Sequence, residues 1–368
     1  MSQIKHYYAG SNSSQGFYSF YEEALKGLDP LFILKGGPGT GKSTLIKQVG
    51  DAFEKEGWEI EFLHCSSDND SLDGVIIPKL NSGIVDGTAP HVVDPKYPGA
   101  VDRIVNLGDC RDDSLLVTHK KEIIELTDSI SETFSKAYDL FASAKKAHDD
   151  MEALYLSAMD FGKADEVTED LIQKIFAESL EAEQNPAVRH LFFGAATPKG
   201  PVHFIDNLTD GLNKRYIVKG RAGSGKSTMM KKVGRYAEEK GLSVQYFHCA
   251  FDPESCDMVV IPSLSTAVLD GTAPHVIDPS RTNDEVVDMF ELCIDTNIET
   301  DRAEELRAAE TPYKTLMNQG TDLLMEAKQK HDQLETFYIQ AMDFEAVEQK
   351  RDQIITELQK CIRDNQVL

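Results

Sequence analysis

Lys42 and Ser43 close the run Gly36-Gly37-Pro38-Gly39-Thr40-Gly41-Lys42-Ser43, followed by Thr44. Lys226 and Ser227 close Gly220-Arg221-Ala222-Gly223-Ser224-Gly225-Lys226-Ser227, followed by Thr228, 184 residues further along a chain of 368. Both runs fit G-x-x-x-x-G-K-[ST], each after an apolar segment and before a helix-compatible one. In that spacing the glycines turn backbone N–H groups toward phosphate oxygens, the lysine reaches the β- and γ-phosphates and the hydroxyl takes Mg²⁺. The helix behind the loop adds the positive end of its dipole.

A second shared segment carries carboxylates. DGTAPHVVDP at Asp86 and DGTAPHVIDP at Asp270 agree at nine of ten positions, and each follows a short apolar run. Asp86 and Asp270 therefore stand where a Walker-B carboxylate joins the serine in holding Mg²⁺; an Asp-Gly hairpin turn is the competing reading. Gly87 and Gly271 follow directly where many ATPases place a glutamate, so a general base must come from elsewhere. Asp68 and Asp252 are candidates, as are Asp73, Asp257, Asp94 and Asp278. His91 and His275 stand close enough to polarise water or sense a γ-phosphate. His64-Cys65 and His248-Cys249 lack zinc-ligand spacing and read as strand ends. Arg221 replaces Gly37, making the two loops chemically unequal, and no arginine finger is assignable.

The elements that must position these residues repeat as well. Residues 33–95 align without a gap on 217–279 with 31 identities in 63 positions. Short apolar runs separated by turn residues predict an α/β fold of two tandem three-layer domains, 1–184 and 185–368, each with a mainly parallel sheet. Sister domains fused in one chain are expected to pair with pseudo-two-fold symmetry. From about 114 to 183 and from about 296 to 365, apolar residues fall at helical spacing, predicting a long helical hairpin appended to each domain. Breaks are expected near Phe161–Lys163 and at Pro312. The appendages read as a layer covering sheet and interface, or as arms for a protein partner.

The net charge of −24 divides as 33 acidic against 17 basic side chains in 1–184 and 29 against 21 in 185–368. Nucleic acid is thus an unexpected main partner, since phosphate-backbone binding needs clustered Lys and Arg. Six cysteines without a C-x-x-C pair and no apolar leader segment point to free thiols and a cytoplasmic protein. No run approaches the length a membrane helix needs, so no membrane insertion is expected.

HYYAGSNSSQGFYSF, GGPGTGKST, VIIP and DGTAPHVVDPKYPGAVDRIVNLGD together resemble a family of tandem P-loop ATPases from Gram-positive bacteria, over essentially the whole chain. The resemblance implies ATP binding. SRTNDE at Ser280–Glu285 replaces KYPGAV and sets the two substrate-side loops apart. The expected function is a Mg²⁺-dependent ATPase whose two nucleotide sites drive rearrangement of domains or helical arms. The alternatives are a phosphotransferase using Asp68 or Asp252 as base, and a nucleotide-gated scaffold with little turnover. No NKxD-like guanine reader is present, which favours ATP over GTP.

Overall fold

The computed structural model describes residues 4–178 and 181–365. Positions 179–180 of the first predicted appendage, and the outermost residues of both predicted domains, lie outside that range. The first half runs β1 (Ile4–Tyr7), β2 (Gly10–Ser13), β3 (Gly16–Ser19), α1 (Tyr21–Ala24), β4 (Leu31–Lys35), α2 (Lys42–Lys55), β5 (Ile60–His64), β6 (Leu72–Ile77), β7 (Ser82–Asp86), β8 (Asp102–Asn106), α3 (Asp113–Thr118), α4 (Lys120–Leu156) and α5 (Phe161–Ile175). The second repeats it as β9 (Val188–Phe192), β10 (Gly194–Thr197), β11 (Gly200–His203), α6 (Ile205–Leu208), β12 (Lys214–Lys219), α7 (Lys226–Glu239), β13 (Val244–His248), β14 (Cys256–Ile261), β15 (Thr266–Asp270), β16 (Asp284–Asp288), α8 (Met289–Cys293), α9 (Ile298–Asp301), α10 (Ala303–Ala341) and α11 (Phe344–Asn365).

Each half forms a six-stranded mixed sheet, ordered β1-β5-β6-β7-β4-β8 and β9-β13-β14-β15-β12-β16. β6 and β14 run against their neighbours and the other strands are parallel. The reversal has a local cause. Seven residues, 65–71, join β5 to β6, too few for the crossover that a parallel neighbour requires.

Strand alternation divides the buried side chains between two faces. Ile33, Leu63, Ile76 and Val85 join Ile217, Phe247, Met258 and Leu269 in one core that runs through both halves. A pseudo-two-fold relation is visible at its edge. Tyr8 and Phe192, equivalent positions, exchange backbone hydrogen bonds of 2.9 and 3.0 Å. Phe204 packs on the hydrogen-bonded His6–His64 pair and Phe20 on the His190–His248 pair, so each half caps the other's histidines.

The outer faces are covered by exchange. Phe32, Leu34, Phe62 and Ile84 pack under α2 together with Val347, Ile354 and Leu358 of α11, a helix of the second half. Tyr216, Val218, Val244 and Val268 pack under α7 with Ala164 and Leu171 of α5, a helix of the first. The helices that carry this exchange pair with each other: α4 lies antiparallel along α10, with Thr133 near Lys330 and Phe141 against Gly320. The appendages therefore cover the sheets of the opposite half, and the long helices pack on one another instead of closing hairpins on their own successors.

The break predicted at 161–163 is present, between the end of α4 at Leu156 and the start of α5 at Phe161. Pro312 does not end its helix; α10 continues through it. An interior proline costs about 3 kcal/mol, which the long apolar seam with α4 offsets, and the carbonyl it leaves unpaired lies on a well-exposed stretch that water reaches. Among the described residues no helix is long and apolar enough to cross a membrane, and Cys65, Cys110, Cys249, Cys256 and Cys293 carry free thiols.

Phe141 is fully buried in the seam with Ala137 and Leu324. Phe141→Ala is expected to lower the stability of the chain by about 3–5 kcal/mol, read as a shift of the urea midpoint.

Candidate functional site

Two glycine-rich turns, after β4 and after β12, end in residues of left-handed conformation: Gly41 at φ 85° and Gly225 at φ 82°. A side chain there would be strained, because Cβ collides with the backbone in that region. α2 and α7 start at Lys42 and Lys226 with no side chain capping them. Their first-turn N–H groups are thus left for an acceptor held in the turn. Lys42 Nζ donates to the carbonyls of Gly36 and Gly37 at 3.0 and 2.7 Å and stands 3.6 Å from Asp86. Lys226 repeats this with Gly220, Arg221 and Asp270 at 3.1, 2.8 and 3.6 Å. Thr40 and Ser224 tie the turns through 2.8 Å bonds to the carbonyls of residues 37 and 221. Pro38, Ala222, Gly39 and Gly223 complete the turns, and Thr44 and Thr228 face outward on the first helical turn.

Ser43 and Ser227 each accept a 2.9 Å hydrogen bond from the backbone N–H of Leu72 and Cys256, the first residues of β6 and β14. Each hydroxyl oxygen keeps a lone pair, and the next residue on the strand is an acid, Asp73 or Asp257, buried at 5 and 7 % exposure. Asp73, Asp86 and His91 bring ligand atoms within 4.8 Å of one another. Asp86 and Asp270 bind their own turns through Thr88 and Thr272. The predicted pair of serine and strand-end aspartate is therefore joined by a second carboxylate from the antiparallel strand. Oxygen donors of this kind suit a hard cation such as Mg²⁺.

The six possible bases separate clearly. Asp94 and Asp278 are exposed and bound to Lys35 and Lys219 at 2.9 and 2.8 Å. Asp68 caps its own turn through Asp70 N and Ser71 and faces Lys328 at 3.5 Å; Asp252 faces Lys145 at 3.5 Å. Asp73 and Asp257 lie beside the histidines, at 3.8 Å from His91 and from His275. His91 stacks on Tyr21 at 4.7 Å, and neither ring nitrogen has a hydrogen-bond partner although the side chain is buried.

The halves differ at this acid. Tyr21 donates a 2.7 Å hydrogen bond to Asp73, whereas Ile205 occupies the equivalent position in the second half. Burial raises Asp73, opposed first by the neighbouring His91 and then by the Tyr21 and Cys65 hydrogen bonds. Burial, reinforced by the neighbouring charge of Asp270, pushes Asp257 up to about 7. Burial pushes His275 down to about 4, keeping it neutral.

Each turn is roofed by the long helix of the other half. Gly39 N–H donates to Glu335 Oε1 at 3.2 Å, a carboxylate held where the turn directs its amides. A Cβ on Gly37 would come within 2.7 Å of Tyr338, and one on Gly223 within 2.8 Å of the Glu152 backbone. Arg221 is turned away, bonded to Glu299 at 2.7 Å and lying over Phe290. His64 and Cys65 face opposite ways, His64 to His6 and Cys65 to Asp73, so they do not converge as ligands.

Sequence reading missed Lys35 and Lys219, whose ammonium groups clamp the DGTAPH segments through Gly87 and Gly271 carbonyls. It also missed Lys145, Glu152, Lys328 and Glu335. Lys35 and Lys219 recur at the 184-residue offset and the other four at an offset of 183, the one signal that marks them. No family model, no curated protein and no solved structure matches the chain.

In metal-free buffer the Asp257 carboxyl is expected to titrate near pH 7 by ¹³C NMR. An unfolded aspartate releases its proton near 3.9, so between about pH 4 and 7 the folded chain holds a proton that the unfolded chain has lost. Stability therefore falls as pH rises through that window. Asp257→Asn should flatten this slope, a difference on the order of 4 kcal/mol at neutral pH.

Proposed function

We propose that the chain is a nucleoside triphosphatase with two sites, each taking ATP with Mg²⁺ on one glycine-rich turn under the opposite half's long helix. The observation that carries the reading is the twin constellation of Lys42–Asp86 and Lys226–Asp270, both at 3.6 Å, each behind an uncapped helix start and beside a serine hydroxyl. Ser43 with Asp86, and Ser227 with Asp270, would hold the Mg²⁺, with Asp73 and Asp257 adjacent. When bound, the ion neutralises charge on the β- and γ-phosphates.

The residues divide the remaining work. Turn amides and the helix dipole bind phosphate oxygens, and Lys42 or Lys226 leaves its carbonyl partners to follow charge onto the γ-phosphate. Asp73 or Asp257 accepts the proton of an attacking water as its oxygen bonds to the γ-phosphorus and the β–γ bridging bond breaks, yielding ADP and inorganic phosphate. An elevated carboxyl pKa suits such a base near neutral pH. His91 and His275 lie 3.8 Å from the same carboxylates, close enough to polarise the water or sense the γ-phosphate. A phosphotransferase relying on Asp68 or Asp252 is less well supported, because Lys328 and Lys145 already pair those carboxylates.

Calorimetric titration with Mg-ATP is expected to show two binding events, one abolished by Lys42→Ala and the other by Lys226→Ala. Phosphate release should fall about 10²–10⁴-fold at a site carrying Asp73→Asn or Asp257→Asn, with affinity retained. Two binding events without phosphate release would favour the scaffold; no binding of any nucleoside triphosphate would end the proposal.

A further inference from the structure

A triphosphate whose γ end lies toward Lys42 and Asp86 would carry its α-phosphate and nucleoside out over the first turns of α2, where Thr44 and Gln48 are exposed. In that direction a cavity of about 140 Å³ lies between α2 and the exchanged helix α11, lined by Gly41, Thr44 and Gln48 on one side and Phe344, Val347 and Arg351 on the other. A Cβ on Gly41 would meet the Phe344 ring at 3.5 Å.

Phe344 opens α11 and stays 43 % exposed, while Val347, Ile354 and Leu358 of the same helix are buried in the core. The core does not account for a half-exposed aromatic ring beside a polar turn. The feature recurs at the other site, where Phe161 opens α5 at 60 % exposure. Arg351 is held by Asp352 through Nε and Nη2 at 2.8 Å and donates from Nη1 a 2.8 Å hydrogen bond to Gln48 Oε1, which leaves the Gln48 amide N–H groups as the donors at this edge of the cavity.

We infer that Phe344 and Gln48, the latter oriented by Arg351, form the base-binding wall of the first nucleotide site, supplied across the halves, and that it takes a purine by stacking on Phe344 with its acceptor edge on the Gln48 amide. This rests on the triphosphatase reading above and deepens it. The second site is built differently. Lys232 and Asp165 form a 2.5 Å ion pair where Gln48 and Glu348 stand, and Thr168 replaces Arg351. Phe161 keeps the stacking face there, but the donor set of the first wall is gone. The first site is therefore the base-selective one.

The test uses the full chain carrying Lys226→Ala, so that the first site alone is read, titrated by calorimetry with Mg-ATP and with Mg-tripolyphosphate. Removing a stacking ring costs an amount equivalent to about 5- to 100-fold in affinity. Phe344→Ala is expected to weaken ATP by that factor while tripolyphosphate affinity changes less than about twofold, and Phe344→Tyr, which keeps the ring, should restore ATP binding; thermal melts of each variant check the fold. If ATP and tripolyphosphate both bind and Phe344→Ala leaves ATP unchanged, or weakens both ligands equally, the base wall is refuted while the phosphate site stands. If the parent binds neither ligand, the triphosphatase reading falls and the base wall with it.

Discussion

Each sheet has an outer apolar face that a helix of its own half covers only in part, and the helix that completes the cover arrives from the other half. α11 places Val347, Ile354 and Leu358 over the first sheet, and α5 places Ala164 and Leu171 over the second. Burying such side chains is the dominant favourable contribution to folding, so neither half completes its core by itself. The antiparallel seam of α4 and α10 follows from this requirement, since both chains must cross between the sheets to deliver their terminal helices. The shared inner core of Ile33, Val85, Ile217 and Leu269 closes the arrangement from the other side.

The same exchange brings side chains of one half to the glycine-rich turn of the other. Glu335 accepts from Gly39 N–H, Tyr338 lies over Gly37 and Lys328 faces Asp68, while Lys145 reaches Asp252. Each turn is thus in contact with a helix whose far end lies beside the opposite sheet. Coupling between sites needs a packed element that both of them bias, and the α4–α10 pair is continuous with both turns.

Symmetry of the backbone does not make the two sites chemically equal. Tyr21 donates to Asp73, and Ile205 leaves Asp257 without that bond. A buried carboxylate with fewer hydrogen-bond donors favours its protonated form, and the neighbouring charge of Asp270 acts on Asp257 in the same direction. Arg221, the difference most visible in the sequence, has its side chain drawn away to Glu299 and Phe290.

The amino-acid sequence determined the features that are local in the chain. The two turns are set by glycines at left-handed positions, the strand-end carboxylates by apolar runs that stop at Asp86 and Asp270, and the helical segments by their spacing. The repeat offset established that these features occur twice. Tertiary structure alone decided which of Asp68, Asp73 and Asp94 stands beside Asp86, because strand order and the reversal of β6 select among them. It alone decided that Pro312 is carried inside a helix, and that Phe344 and Glu335 lie against the turn beginning at Gly36. Those pairings join residues roughly 300 positions apart, and no local periodicity records them. They are fixed by which apolar faces are left to bury once each sheet has formed.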